Sequence, residues 1–363
     1  MALVEINVAL FYPLFMVLLL VLAYCSRWRR HFQIGMKLPG PPALPIIGNC
    51  LQFTTNDLCK LFKEFMEIAC SYGPISRLWM GPVLVVALAD PHSIENLVKN
   101  DKLCSRGNLI RKSLQQLFRN GLLHLDGEEW RRHRKIVSSA LRINILERFV
   151  QNFAINSDIL GNKLKALADG ITAHDIAPDL TRCTLDIIVQ TSSRTDINAQ
   201  NGNDDSTLNN ITTVVDTTSV RIMKPWLLID WIFSATEVGK KYYKAVKSEH
   251  NKIINEIGKI KGMRETAGKT GQNDEKPSLI DLLIQYADIS KEEIVGEIAT
   301  IVGAGTDTIS FACGYVLALL GGNQHIQERV MQEQQDIFRD DILRSVRSDD
   351  LPRMVYREQV GNC

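Results

Sequence analysis

Residues 290–322 read SKEEIVGEIATIVGAGTDTISFACGYVLALLGG, a long apolar helix interrupted by small residues at its middle. Ser290 with Glu293 forms a capping box, which predicts the helix start. The helix is expected to run through Ile298, Ile301 and Val302 into Gly303-Ala304-Gly305-Thr306-Asp307-Thr308. It continues through Phe311 and Tyr315 to Leu320 and ends at Gly321-Gly322. Each mid-helix glycine costs about 1 kcal/mol relative to alanine, so something must approach this backbone closely. The Thr308 hydroxyl can bond the Ala304 carbonyl and open the helix locally. Three readings compete: a second membrane span with small packing residues, a helix crossing a neighbour at its glycines, and a functional gap. Glu297 and Asp307 oppose the first, since a charge near mid-bilayer costs roughly 2.5–3.5 kcal/mol.

Upstream, Gly127-Glu128-Glu129-Trp130-Arg131-Arg132-His133-Arg134-Lys135 opens another helix, with acids in its first turn as the macrodipole favours. Trp130 and Arg134 are four residues apart and share a face. An indole N–H beside a guanidinium is a donor pair suited to a carboxylate. The alternative is a solvated basic face with Trp130 as a core anchor. His133 is expected at the surface, not as a ligand.

Val8 to Cys25 is apolar apart from its tyrosines and Pro13, and is followed by Arg27, Trp28, Arg29, Arg30 and His31. Eighteen helical residues span about 27 Å, enough for a bilayer core. A cleaved signal peptide would carry its basic residues first. Charge placed after the apolar run favours a retained anchor with the body cytosolic. Leu38-Pro39-Gly40-Pro41-Pro42 then predicts an extended, stiff spacer. Leu58, Leu61, Phe62, Phe65 and Ile68 mark a helix over 57–70. Strands are expected at Ile75–Trp79 and Val83–Leu88 across Gly81-Pro82, and Asp90-Pro91 starts a helix. From about Asp126 the pattern is helical. Asn198–Asp205 is expected as a surface loop and Gly262–Pro277 as a long flexible connection.

Lys+Arg of 42 against Asp+Glu of 41 gives no basic face for nucleic acid, so no nucleic-acid partner is expected. The eight cysteines show no zinc-like spacing and read as reduced thiols, so no metal ligand is assigned. No G-x-G-x-x-G follows a strand, which argues against a doubly wound fold.

The order of these features resembles a microsomal cytochrome P450. The proline segment after the anchor looks like that family's hinge. W-R-x-H-R at 130–134 is similar to its C-helix, where the matching Trp130 and Arg134 bind a haem propionate. Ala304-Gly305-Thr306-Asp307-Thr308 resembles its I-helix signature, a groove over the haem that holds dioxygen. The resemblance implies that Thr308 steers protons to the activated oxygen and Asp307 relays them, with Ala304 and Gly305 bordering the cofactor. Ile309 stands where the family often has Thr or Ser. Ala304 replaces the Glu that some fatty-acid hydroxylases esterify to haem, so that covalent link is not expected. Asn144–Phe149 and Ser278–Leu283 look most like the branch containing insect and vertebrate fatty-acid hydroxylases.

The resemblance implies a mainly α fold with a small N-terminal β-sheet, preceded by one transmembrane helix. Its expected parts are an anchor and basic stop over 1–31, a hinge over 32–50 and a partial catalytic domain over 51–363. It implies a haem monooxygenase acting on a lipophilic substrate with dioxygen. Electrons would come from NADPH through cytochrome P450 reductase, at the endoplasmic reticulum membrane. Residues 350–360 are similar to the start of the K-helix, after which the family continues to E-x-x-R and the F-x-x-G-x-R-x-C-x-G ligand loop. Neither motif follows residue 360 in this sequence. The expectation is therefore a fold incomplete at its C-terminus, with an inactive truncated isoform or membrane-anchored binding protein as the alternative. Phe118, Leu122 and Leu123 suggest an apolar pocket, with plain packing as the competing reading.

Overall fold

The computed structural model describes residues 29–362 except 45, 46, 54, 56, 101–106, 142–146, 194, 203, 204, 271–277, 286–288, 340, 342 and 343, together with Met16 and Ser26. In chain order the elements are α1 (Leu58–Ser71), β1 (Ile75–Met80), β2 (Val83–Leu88), α2 (Pro91–Val98), α3 (Asn108–Phe118), α4 (Gly127–Ala140) and α5 (Val150–Leu167). There follow α6 (Ala177–Ser193), α7 (Asp205–Met223), α8 (Asp230–Ala235), α9 (Glu237–Thr270), α10 (Leu279–Ile284), α11 (Lys291–Gly322), α12 (Gln324–Phe338) and α13 (Val355–Asn362). The architecture is thus mainly helical with one two-stranded sheet. The expected N-terminal membrane span, Val8–Cys25, falls outside the described residues but for Met16. Among the described residues one helix, α11, is long and apolar enough to cross a membrane.

The chain forms two units, the first from 1–113 with 216–239 and the second from 114–215 with 240–363. In the first, β1 and β2 pair antiparallel, with Ile75 opposite Leu88 and Met80 opposite Val83 across the Gly81-Pro82 turn. The proline segment does not hang free beside this hairpin. Arg77 N–H donates to the Pro39 carbonyl at 2.8 Å. The Arg77 guanidinium, buried, reaches the carbonyls of Leu38 at 2.9 Å and Pro41 at 3.0 Å. Prolines lack N–H groups, so their segment is rich in acceptors and poor in donors, and a buried arginine supplies the missing donors. Gly48 sits at φ +66° with its Cα facing the Trp79 carbonyl, a position where a Cβ would collide with backbone.

Asp57 caps α1 by accepting from the N–H groups of Cys59 and Lys60. Leu61 is buried with Cys50, Phe53, Leu78 and Met80, and Leu58, Phe65 and Ile68 flank it. Phe62 is exposed, because it lies about 100° round the helix from Leu61.

The second unit is built on α11. Ile294, Val295 and Ile298 of α11 pack with Ile136 and Ala140 of α4, Ile257 and Ile260 of α9, and Leu279, Ile280 and Leu283 of α10. The capping box at Ser290 and Glu293 is present, and the helix runs unbroken to Gly322. Gly296 meets the turn after α3: a Cβ there would lie 2.6 Å from Gly121 N and 2.7 Å from Phe118 O.

Two expected loops are more ordered than their composition suggests. The 198–205 stretch holds a 3-10 turn, Ala199–Asn201, between left-handed Asn198 and Gly202. The N–H groups of Ala199 and Gln200 donate to the buried Asp186 carboxylate at 2.7 and 3.0 Å, so the middle of the loop is buried. Helix α9 continues to Thr270, taking in just over half of the expected 262–277 connection. Met263, Arg264, Glu265, Ala267 and Lys269 are good helix formers and extend it past the glycine. Residues 271–277 fall outside the description.

The glycine contact is testable. Alanine at 296 should gain about 1 kcal/mol of helix propensity. It should nonetheless destabilise the chain by about 1–3 kcal/mol through overpacking. Urea titration of Gly296→Ala checks the sign, and a more stable variant would refute the close approach.

Candidate functional site

Helix α4 turns one stripe inward: His133, Ile136, Val137 and Ala140 are buried. His133 is 0% exposed, contrary to the surface placement expected from sequence. It stands three and four residues before Ile136 and Val137 and seven before Ala140, which is the spacing of one helix face. That spacing was the signal; the surrounding arginines and lysine obscured it.

His133 Nδ1 bonds Glu297 Oε1 of α11 at 2.6 Å, with both side chains fully buried. Its Nε2 lies 3.1 Å from Glu293 Oε1. Arg132 Nη2 donates to Glu129 Oε2 at 3.0 Å, lies 2.9 Å from His133 Nε2, and also pairs with Glu293 Oε1. Glu129, His133 and Glu293 bring their ligand atoms within 4.8 Å of one another, as a metal cage would. The Arg132 guanidinium nitrogen contacts all three, so the protein supplies its own cation there. Burial alone would depress the His133 imidazolium. The hydrogen bonds to Glu297 and Glu293 outweigh it and raise the pKa above the ordinary 6.5. Burial would raise Glu293, but the Ser290 cap, Arg132 and His133 hold it down at about 2.

Trp130 and Arg134 fall on the outer edge of α4, with Trp130 38% exposed and Arg134 exposed. Neither side chain makes a hydrogen bond or ion pair among the described residues. The donor pair expected for a carboxylate is therefore open.

On α11, Thr308 Oγ1 donates to the Ala304 carbonyl at 2.6 Å, as the sequence suggested, and the helix does not open there. Gly305 faces α6: a Cβ would stand 3.2 Å from Ile188, and beside it Thr184 Oγ1 donates to the Thr306 carbonyl at 3.0 Å. Gly303 meets the Phe118 ring. Helix crossing thus accounts for the two glycines, and the exposed Ala304 and Thr308 carry the opening.

Ala304, Asp307 and Thr308 line a cavity of about 490 Å³, with Phe118, Leu123, Val189, Val214, Ile253, Ile298 and Val302 on its apolar walls. Gly305, Trp130, Arg134 and Leu122 do not line it. Sequence reasoning missed the polar end on α9, where Glu249, Lys252 and Glu256 share one face at helical spacing. Asn210 donates to Glu249 at 2.7 Å, Thr195 donates to Glu256 at 2.8 Å, and Lys252 lies 3.3 Å from Glu249. Ser192, 1% exposed, lines the same cavity with its hydroxyl unpartnered.

The cavity and the α4 edge meet through α11. Glu297, Ala304, Thr308 and Tyr315 stand at i, i+7, i+11 and i+18, which is one stripe of a helix. His133 grips the start of that stripe, and its continuation is open, with Phe311 62% and Tyr315 71% exposed. Helix α11 thus presents an open apolar stripe, and α4, fastened to its start through His133, presents two unengaged donors, Trp130 and Arg134.

Comparison with known proteins identifies the class. The cytochrome P450 family model matches residues 38–361, and the chain belongs to that family. It is 30% identical over 351 residues to Cytochrome P450 4d2 of Drosophila melanogaster, covering 92% of this chain and 69% of that protein. It is 31% identical over 356 residues to Cytochrome P450 4c21 of Blattella germanica, covering 95% and 70%. It is 28% identical over 356 residues to Cytochrome P450 4V2 of Mus musculus, covering 94% and 66%. The match is to the family-4 type, insect and mammalian, and the chain spans about two-thirds of these relatives' lengths. By family it is a monooxygenase with a haem cofactor.

The donor set fits part of haem. Trp130 and Arg134 suit its carboxylates, and the Ala304–Thr308 stripe suits its apolar face. Cys50, Cys183 and Cys313 do not complete it. Burial pushes the Cys50 thiol up and, with Asp186 nearby, the Cys183 thiol to about 12, and Cys313 lies on another face of α11 from Thr308.

Removing His133 should be costly, because Glu297 would remain as a buried charge whose Oε2 already lacks a partner. His133→Ala should lose about 3–5 kcal/mol in denaturant unfolding. A loss below 1 kcal/mol would show that the pair is not buried as described.

Proposed function

We propose that this chain carries the substrate cavity and the haem-carboxylate edge of a family-4 cytochrome P450 acting on a lipophilic compound. The supporting observation is that Ala304 and Thr308 belong both to the cavity lining and to the α11 stripe on which α4 is fastened. Organic substrate on one side and cofactor on the other would meet at these two residues.

Haem, when bound, supplies the activation of dioxygen. The chain's own residues do the rest. Trp130 Nε1 and Arg134 hold the carboxylates by charge-assisted hydrogen bonds. Gly305 keeps α11 tight on α6, which fixes the height of Ala304. Thr308 Oγ1 parks its proton on the Ala304 carbonyl. Rotation about its Cα–Cβ bond would release that proton toward the stripe, and Asp307, at the cavity edge, is the acid that replaces it. The apolar walls favour an apolar occupant over water along their part of the cavity. The unpartnered Ser192 hydroxyl offers a polar atom of the substrate a hydrogen bond worth about 1 kcal/mol.

Residues 51–363 act in this reading as catalytic-domain sequence, with 32–50 as the segment leading into it. The apolar run 8–25 with the basic residues behind it supports a single anchor in the endoplasmic reticulum membrane, body in the cytosol. There NADPH–cytochrome P450 reductase would supply electrons.

Two titrations test the reading on the full chain in detergent micelles. Protoporphyrin IX carries the carboxylates without iron. Arg134→Gln should weaken its binding about tenfold, the loss of one charge-assisted hydrogen bond. Nile red, a neutral lipophilic probe, should bind about tenfold more weakly when Val302→Phe fills the cavity. Porphyrin affinity unchanged in both Arg134→Gln and Trp130→Phe would remove the cofactor edge from the proposal.

A further inference from the structure

We propose that His133 is a positioning residue whose bound proton sets how α4, with its Trp130–Arg134 edge, is held on α11. The functional consequence rests on the reading of that edge as the porphyrin-carboxylate site; the geometry does not.

The argument is a count of hydrogens. Arg132 Nη2 carries two, and three acceptors stand within reach: Glu129 Oε2, Glu293 Oε1 and His133 Nε2. When both hydrogens go to the carboxylates, none is left for the imidazole. His133 Nε2 then faces Glu293 Oε1 at 3.1 Å, a contact that is attractive only if Nε2 carries its own proton. His133 Nδ1 must also carry one, because the Glu297 carboxylate at 2.6 Å only accepts. The imidazolium satisfies both glutamates of α11, donating once to each, and leaves Nε2 and Arg132 Nη2, 2.9 Å apart, as two donors that share Glu293 Oε1 as acceptor. The two glutamates are one helical turn apart, so α4 is held at two points on the same stripe.

Loss of the proton from Nε2 to solvent changes the pattern. The bare nitrogen repels Glu293 Oε1 and must take a hydrogen from Arg132. One carboxylate then loses its donor, and the Glu293 arm of the contact is released, while Nδ1–H stays on Glu297. The surrounding charges favour the proton. Glu293 and Glu297 face the ring from α11, and Arg132 and Glu129 stand beside it on α4. Helix α10 packs on α4 through Leu279, Ile280 and Leu283, and its one titratable group, Asp281, is turned onto the Ser278 N–H and hydroxyl at 2.8 and 2.7 Å. The raised His133 pKa agrees with this balance.

The sign follows. A histidine pKa raised by folding adds stability that is complete below the ordinary 6.5 and is lost as pH climbs through the raised value. Glu293, lowered to about 2, adds stability that is complete above its ordinary 4.5 and fails only as pH falls toward 2. The two-point hold therefore spans mildly acidic pH and weakens on the alkaline side.

The test uses the full chain in micelles with 13C at histidine Cε1. His133→Gln identifies the resonance by its disappearance. The expected result is a titration midpoint above 6.5 that moves down in Glu293→Gln, a change that keeps the helix cap because glutamine also closes a capping box. Protoporphyrin IX affinity should fall by about fivefold across the same pH range, the lower end of ordinary site coupling, and His133→Gln should lose that pH dependence. If Glu293→Gln does not fold, the thermal midpoint decides: it should decline on the alkaline side in the wild-type chain and stay level in His133→Gln. A His133 midpoint at or below 6.5, or one indifferent to Glu293→Gln, overturns the proposal. Porphyrin affinity untouched by Arg134→Gln at every pH defeats the carboxylate-edge reading instead, and leaves the proton titration to stand or fall by itself.

Discussion

A buried carboxylate at the middle of an apolar helix core has to be answered, and in this chain Glu297 is answered by His133. Both side chains are removed from water, where an unpaired charge would shift its protonation or destabilise the fold. The pair joins two helices distant in sequence and so fixes which faces of α4 and α11 are turned together. Once those faces are set, helix geometry dictates the rest. Trp130 and Arg134 must fall on the outer edge of α4, and Ala304 and Thr308 must follow Glu297 up the same stripe of α11.

The site that results divides labour along one helix. The N-terminal half of α11 is core, with Ile294, Val295 and Ile298 in the main apolar cluster. Its middle borders the cavity on one side and an open stripe on the other. The glycines belong to the packing side of this arrangement and the alanine and threonine to the open side. The cavity's polar end on α9 and the Ser192 hydroxyl belong to the pocket side.

Much of the fold was legible in the sequence because local rules sufficed. The hairpin at 75–88, the Asp57 and Ser290 caps, and the full length of the long helix follow from turn chemistry, capping and periodicity. The site was legible as residue types but not as an arrangement. His133 sits within a run of arginines and lysine, and nothing local says that the carboxylates 160 and 164 positions away will enclose it. Ile188 against Gly305 is likewise a tertiary contact. The 198–205 loop looked solvent-exposed because its residues are polar, yet Asp186 captures its backbone donors, a partner that composition cannot reveal. Gly262 failed to end α9 because the residues after it favour helix.

The stitching of the proline segment to β1 has a mechanical meaning. A loose leader would let the hairpin tumble independently of the chain entering it. Here Arg77 grips the carbonyls of Leu38 and Pro41, and its own N–H takes Pro39, so the entry is clamped at three points between residues 38 and 41. A displacement of the chain at residue 38 is passed to the hairpin through these bonds. The hairpin is therefore steered like a rudder by whatever holds that lead, and cutting the Arg77 grip would turn a rigid shaft into a swivel.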